Sequence, residues 1–427
     1  MRLVKVRIEG FRNISGNQIT FEDGICALVS ANSYGKSNVM NAIDFAAAFI
    51  KADRETKKSM MSWIYGIPFN KHLQNKNFVA DFDFVFNDNG KEFFVNYGYE
   101  FIWIKNEGGK KIVGEWLYVK EKGSSQKYSK LVYRKGNAMY KASIKGRCNT
   151  LVDINNDELV INKLLDEDNL YYHAIIHELN SFNVHLESHL DASKFYLQDP
   201  LIPTDHSRLN LNSLTNIPRT IYTLKKEYPE KYEILEDAFL QLFPNIESID
   251  VKEIDIGEVH NIKLSKDAPY IVSNKVYSIF VQDKNLNQPM DFRTMSDGAK
   301  RVFLILTCTS IADINNISLI EFEEPENSVH PGLLQSYLRA LYQLAGSCRI
   351  LVASHSPYIV QYLNTENIYV GKPNNQGLAK FSRIENRKIN QFMRDASAEN
   401  DSIGDYLFEL LTGSEDEVEI LLNYLEK

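Results

Sequence analysis

Cysteine is scarce in this chain of 427 residues: Cys26, Cys148, Cys308 and Cys348 stand far apart. No CxxC pair occurs, so neither a disulfide framework nor a zinc knuckle is supported, and a reducing cytoplasm fits. Long apolar runs are lacking too. The longest, Val302 to Ile314, is interrupted by Thr307, Thr309 and Ser310. It falls far short of the roughly 20 residues a membrane-spanning helix needs. The opening MRLVKVRIEGF alternates apolar and charged residues and has no apolar h-region, which excludes a signal peptide. Positive charge is not in excess: 48 Lys and Arg stand against 56 Asp and Glu, a net charge of −8. This balance argues against a globally basic nucleic-acid binder and leaves a local basic patch open. There is no internal repeat, no low-complexity linker and no sustained heptad pattern, which argues against a coiled-coil arm.

What is present is an ordinary globular composition, 44% hydrophobic and 24% charged. The length suits two to three domains, or one large domain with an insertion. Residues 1–50 read as strand, strand, glycine-containing turn and helix: Leu3, Val4, Val6 and Ile8 mark one strand, Ile25 to Val29 a buried one, and NVMNAIDFAAAFI a helix. Residues 78–147 alternate bulky and polar side chains between turn signals such as Asn87-Asp88-Asn89-Gly90, which predicts an antiparallel meander. Residues 155–245 turn helical, and strand signals return at 247–283. A helix is expected at 296–314, a buried strand at 317–323, a helix at 331–344 and another buried strand from Arg349 to Ala353. Two short helices with an acidic surface are expected in 400–427. The expected organisation is an N-terminal half-domain (1–64), an antiparallel β region (65–150), a helical insertion (151–245), a second half-domain (246–380) and a helical tail (381–427).

The strongest local signal is Ser30-Ala31-Asn32-Ser33-Tyr34-Gly35-Lys36-Ser37, followed by Asn38, between an apolar strand and a helix. Backbone N–H groups at a helix start can cradle phosphate oxygens. Lys36 can reach the β- and γ-phosphates, and the Ser37 hydroxyl can ligate Mg²⁺. The pattern asks for glycine where Ser30 stands, so Ser30 either loosens the loop or adopts an allowed backbone conformation. A second signal is the apolar strand Ser318-Leu319-Ile320-Glu321-Phe322 ending in Glu323-Glu324-Pro325. One carboxylate at a strand end can hold the metal and its neighbour can polarise an attacking water; Glu323 is assigned to the metal and Glu324 to the water. A third is Arg349-Ile350-Leu351-Val352-Ala353-Ser354-His355, a buried strand that delivers His355 to the same sheet edge. There it could sense a γ-phosphate or hold the water. The fourth is Ser296-Asp297-Gly298 before a helix, where Ser296, the Gly298 amide and the helix start form an anion-binding surface.

The order SANSYGKS, MSDGAKR, IEFEEPENSVHP and ASHSP resembles ATPases with an ABC-type head. More narrowly, with IEGFRNI, IPRTIYTLKKEYPEKYEILEDAFLQLFPNI and GDYLFELL, it resembles bacterial AAA-type ATP-binding proteins. These are related to the ATPase half of overcoming-lysogenization-defect nucleases and to chromosome-maintenance and recombination-repair ATPases. The resemblance covers both ends and is weakest over 100–210. It implies an α/β, ABC-type P-loop NTPase head with an antiparallel β meander and a helical insertion between the Walker A loop and the signature. Ser30 to Ser37 would be Walker A, Glu323 the Walker B carboxylate and Glu324 the catalytic glutamate. Ser296 to Gly298 would be the signature, His355 the switch histidine, and Asn327 to Pro331 the loop after Walker B. ATP and Mg²⁺ would be the cofactors. The signature of one protomer would close on the ATP of another, making a homodimer, with a higher oligomer possible. A separate effector, a nuclease or toxin of an anti-phage defence operon, would read the state. Nucleic acid is possible but not required, and no membrane is expected.

Other features carry less. Gln74 is a Q-loop candidate on spacing only, and Arg12 is as readily a surface residue as a nucleotide contact. Residues 101–147 carry twelve Lys and Arg against three acids, interleaved with Trp103, Trp116, Tyr118, Tyr128, Tyr133 and Tyr140. Such a sheet can bind single strands, or it can pack its aromatics on one face while lysines snorkel. The pairs His173/His177 and His185/His189 lack the third ligand of a zinc site and read as helical surface histidines. The acidic run Glu415-Asp416-Glu417 caps a terminal helix. After His355 the remaining residues are too few for an appended nuclease domain.

Overall fold

β1 (Arg2–Glu9) buries Leu3, Val6 and Ile8 and exposes Arg2 and Arg7, the half-buried alternation expected of a strand with one face on a core. A computed structural model of the chain describes residues 1–62, 66–104, 111–187, 196, 200–203, 209, 211, 216–257, 270–371 and 376–426. The chain divides into two units. The first comprises Met1–Leu186, Ser318–Glu323 and Arg349–Lys427; the second comprises Glu187–Ile317 and Glu324–Cys348.

In the first unit β1 pairs antiparallel with β2 (Asn17–Thr20) and with β4 (Phe78–Asp88). The sheet continues through β5 (Lys91–Ile102), β6 (Lys111–Glu121), β7 (Ser129–Lys135), β8 (Asn137–Tyr140) and β9 (Thr150–Leu151). The meander thus shares one eight-stranded sheet with the N-terminal hairpin. A second sheet runs β10-β16-β17-β3-β18-β19: β3 is Ile25–Val29, β10 Val184–Glu187, β16 Leu319–Glu323, β17 Arg349–Ser354, β18 Ile368–Gly371 and β19 Phe381–Arg383. Its neighbours β16, β17, β3 and β18 are parallel. Such strands are buried on both faces, which explains the unbroken apolar runs in β3 and β17.

The helix Lys36–Lys51, α1, lies in the same core as both sheets. Its Phe45 and Phe49 meet rings of the antiparallel sheet, with Phe49–Phe101 centroids at 4.9 Å and Phe45–Phe78 at 5.3 Å. The buried Lys57 donates to the carbonyls of Ile50 and Ala52 at the end of α1. Glu115, 0% exposed on β6, accepts from the backbone N–H groups of Val160 and Ile161.

The second unit contains β11 (Leu201–Pro203) paired with β13 (Tyr270–Val272), and β12 (Ile246–Asp255) paired with β14 (Lys275–Asp283), which pairs with β15 (Met290–Asp291). Helices Ile217–Glu227, Pro229–Leu242, Asp297–Ile314 and Pro331–Ala345 complete it. Phe239 and Phe303 pack edge to face at 5.0 Å, and Phe292 joins them.

The helical expectation for 155–245 needs one correction: β10 and β11 interrupt the helices, and β10 joins the parallel sheet. Four residues are too few for a period to register, so pairing with β16 decides their conformation. The helices Ile403–Thr412 and Glu415–Tyr424 form the tail as read, the latter opened by a Ser414/Glu417 capping box.

Candidate functional site

Register builds the site in the first unit. Val29 pairs with Ser354, and Glu323 with Ala353, so β3, β17 and β16 end side by side at one edge of the sheet. After Val29 the chain turns through Ser30–Gly35 into α1. Ser33 (φ 59°) and Gly35 (φ 127°) take left-handed backbone. At Gly35 a Cβ would lie 2.8 Å from the Cβ of Ala379 and 3.1 Å from the Asn13 amide, so glycine is required there on two grounds. Ser30 is not among the left-handed residues. Of the two alternatives for Ser30, the allowed conformation is the one found. Its fully buried side chain takes part in the loop, with Oγ 3.3 Å from Lys36 Nζ.

Lys36 is 6% exposed. Its ammonium donates to the carbonyls of Ser30 (3.2 Å) and Ala31 (3.4 Å) and lies 3.1 Å from Nδ1 of His355. Two residues separated by more than 300 positions are thus brought together at the strand ends. Asn32 and Ser37 are exposed, and Tyr34 and Asn38 are half-buried. Tyr34 fixes the loop on its far side: its hydroxyl donates to the Leu378 carbonyl (3.1 Å) and accepts from the Lys380 N–H (3.3 Å). Burial raises its phenol pKa. Asn38 accepts from Arg12 Nη1 at 2.9 Å and donates to Asn13 at 2.8 Å. Arg12 (φ 50°) keeps a buried Nε without a hydrogen-bond partner. This clamp beneath the loop was not legible in advance, because it links IEGFRNI to the helix start through side chains alone.

Glu323 ends β16, half-buried. Two residues earlier, on the same face of the strand, Glu321 is 0% exposed and neither of its oxygens has a partner. Burial, with Asp44 of α1 and Glu323 as lesser causes, raises its carboxyl pKa well above the ordinary 4.5. Sequence reading passed over Glu321; the signal was a charge inside an otherwise apolar strand.

The remaining residues lie in the second unit. Ser296 caps the helix Asp297–Ile314, its Oγ accepting from Ala299 N–H at 3.3 Å, and Asp297 pairs with Lys300 at 2.8 Å. Gly298 lies against the loop after Glu324: a Cβ there would sit 2.3 Å from the Ser328 carbonyl oxygen. Glu324 takes φ 48°. Arg301 Nη2 donates to its carbonyl at 2.9 Å, and the Asn327 amide donates to its carboxylate. Arg301 and Asn327 therefore position Glu324; the motifs had marked Asn327 only as the start of the loop after Walker B and Arg301 only as the end of MSDGAKR, without this role.

The rest resolves simply. Gln74 lies in an exposed turn. In 101–147, Trp103 is a core residue, whereas Lys130 lies 4.0 Å from the ring centroid of Tyr133; Lys105 and Lys110 fall outside the described residues. His173 contacts the Leu165 carbonyl at 2.9 Å; His185 is on β10 rather than a helix, and His189 is outside the described residues. Among the described residues no group of three or more His, Cys, Asp and Glu could hold a metal by itself, and no helix is long and apolar enough to cross a membrane. No disulfide joins any of the four cysteines, all of them described residues.

A helix start, a buried lysine, an exposed Ser37 hydroxyl and the Glu323 carboxylate are a donor set that suits the phosphates of a nucleotide and a hard divalent cation. The fold is that of an α/β, ABC-type P-loop ATPase head. The AAA ATPase domain profile matches residues 1–360, and the chain belongs to that family of ATPases. The fold is similar to the crystal structure of an SmcHead bound to the C-winged helix domain of ScpA, at 14% identity and TM-score 0.50, covering 92% of this chain and 100% of that one. An Smc head domain with an extended coiled coil, bound to the C-terminal domain of ScpA derived from Pyrococcus furiosus, matches at 13% identity and TM-score 0.48, covering 93% and 99%. The SMC head domain from Thermotoga maritima matches at 13% and TM-score 0.44, covering 90% and 100%. No curated protein sequence matches the chain.

Proposed function

We propose that the chain is a dimeric, nucleotide-operated switch that binds and hydrolyses ATP and controls a separate effector, a nuclease or toxin in anti-phage defence. The meeting of Lys36 and His355 at 3.1 Å carries the nucleotide part of this reading. The loop from Ser30 to Asn38 would hold the phosphates, with Lys36 supplying charge and the α1 start supplying N–H donors. Ser37 and Glu323 would hold Mg²⁺, which when bound supplies charge neutralisation and orientation of the triphosphate. Glu324 would orient and deprotonate the attacking water, and Asn327, which already donates to it, keeps that carboxylate in place. His355 would report on the terminal phosphate. Ser296, Asp297 and Gly298 would close on the nucleotide of a second copy. The effector role rests on the resemblance to defence ATPases.

Lys36→Ala should abolish ATP binding, and Glu324→Gln should accumulate an ATP-bound dimer in sedimentation velocity. Wild-type hydrolysis by Lys36→Ala would overturn the site assignment. Glu324→Gln that keeps releasing phosphate over many turnovers would remove Glu324 from the chemistry. If wild type releases none, the chain is a non-hydrolysing scaffold.

A second reading is a DNA-dependent repair or chromosome-structure ATPase. The lysine over Tyr133 on the antiparallel sheet favours it. It requires that DNA stimulate hydrolysis and that binding weaken steeply with salt. Salt-insensitive or absent binding leaves the effector-switch reading alone.

A further inference from the structure

A cavity of about 330 Å³ opens where β4 and β6 end and β5 and β7 begin, beneath the start of the helix His173–Asn180. Its lining includes no residue of the loop Ser30–Asn38, so it is separate from the ATP site. The floor is apolar, with Phe86, Phe93 and Leu131 among the lining side chains. Two apolar side chains at the cavity stay open to solvent: Tyr171 is 44% and Ile144 70% exposed. Three amines, Lys120, Lys127 and Lys141, stand around them. Lys141 is held in place, its Nζ donating to Ser129 Oγ at 3.1 Å and lying 5.8 Å from the Tyr171 ring centroid. Of the two carboxylates present, Glu121 is paired with Lys91 at 3.1 Å, and Asp88 accepts from the Asn89 amide. The local balance is therefore positive around an aromatic wall.

The volume suits a small molecule. An exposed tyrosine face takes a planar π-system, and amines with no carboxylate partner among the described residues take a multiply charged anion at its edge. A purely apolar ligand would leave the lysines unused, and a bare phosphate would leave Tyr171 and Ile144 uncovered. We propose that this cavity is a second nucleotide site, binding a phosphorylated nucleoside with its base against Tyr171 and Ile144 and its phosphate among Lys120, Lys127 and Lys141. A free mononucleotide and the 5′-terminal nucleotide of a single strand share this chemistry.

The test is calorimetric titration of the full chain with thymidine 5′-monophosphate and with 5′-phosphorylated pentathymidylate. Each is titrated into wild type, the double variant Lys127→Ala/Lys141→Ala, and Lys36→Ala. Saturable binding is expected, weakened about tenfold or more by the double variant, and unchanged by Lys36→Ala. Equal affinity for the two probes assigns the free mononucleotide; tighter binding of the pentamer assigns the strand end. The proposal is overturned if neither probe binds, if the double variant binds like wild type, or if Lys36→Ala abolishes binding, which would place the probe in the P-loop. Failure of the ATP-site reading has a different mark, since it is read from ATP binding by Lys36→Ala.

Discussion

Nδ1 of His355 lies 3.1 Å from Nζ of Lys36 and 3.1 Å from the carbonyl oxygen of Ser30. The carbonyl can only accept a proton, and an ammonium can only donate one, so the ring nitrogen cannot serve both. A charged Lys36 makes Nδ1 the acceptor and places the histidine proton on Nε2. Nitrogen-15 NMR of the imidazole should therefore show the neutral Nε2–H tautomer in wild type. In Lys36→Met, Nδ1 is released to donate to Ser30, and the tautomer should switch. A wild-type ring protonated at Nδ1 would contradict the pairing.

Gly35 carries two separate constraints, a left-handed φ and neighbours within 3.1 Å of a Cβ. Gly35→Ala should keep the circular dichroism of wild type and lose at least tenfold in ATP affinity by calorimetry, because the strain falls on the loop rather than the core. Ser30→Gly, in contrast, should gain nothing in affinity, since Ser30 needs no glycine conformation.

Gly298 meets the Ser328 carbonyl at a distance no Cβ tolerates. Gly298→Ala must displace either the helix start or the loop that follows Glu324. ATP binding, measured by equilibrium dialysis, should survive while phosphate release drops by an order of magnitude or more. Wild-type turnover would show that the loop yields without consequence.

Burial raises the Glu115 carboxyl to about 7 against an ordinary 4.5, with the N–H groups of Val160 and Ile161 opposing. The fold therefore holds a proton that the unfolded chain releases. The stabilisation is complete below about pH 4.5 and is lost as pH rises through about 7, a span worth roughly 3 kcal/mol. Glu115→Gln cannot ionise. Its Tm relative to wild type should climb between pH 5 and 8, and a pH-independent difference would refute the assignment.

Lys57 works in the opposite sense. Burial lowers its pKa to about 8 from 10.5, only partly offset by Glu115. The fold disfavours the charged form, so wild-type stability should rise as pH climbs from about 8 towards 10.5. Lys57→Met removes that slope in chemical denaturation. It also takes the donor from the Ala52 carbonyl, while Ile50 keeps the Asn162 amide at 2.9 Å, costing about 1–3 kcal/mol below pH 8.

Much of the nucleotide loop was legible because its signals are local. Gly35, Lys36 and Ser37 sit between a five-residue apolar strand and an amphipathic helix, and each element announces itself within a few residues. The convergence of Lys36 with His355 was inferable from the second apolar strand, since parallel neighbours deliver their ends to one edge. The backbone freedom at Ser30 was not, because φ is a property of the closed loop. Glu321 hid inside a run whose apolar neighbours dictate a strand, and nothing in the run says that its carboxylate would be left without a partner. Arg12, Asn13 and Asn38 meet only through side chains from two elements. β10 is too short for any periodicity and exists because β16 has an edge to fill.

The placement of β3 fixes the order in which this molecule can mature. Residues 2–20 and 78–151 can pair into their sheet before residue 152. Ile25–Val29, translated among them, has its strand neighbours among the described residues at 349–354 and 368–371. Until those arrive, the strand that supports Lys36 has an open edge on each side, and closing that separation is entropically slow. Nascent chains halted before residue 349 should be competent in the antiparallel sheet yet blind to ATP, which would make nucleotide capture a late report that β17 and β18 have been synthesised.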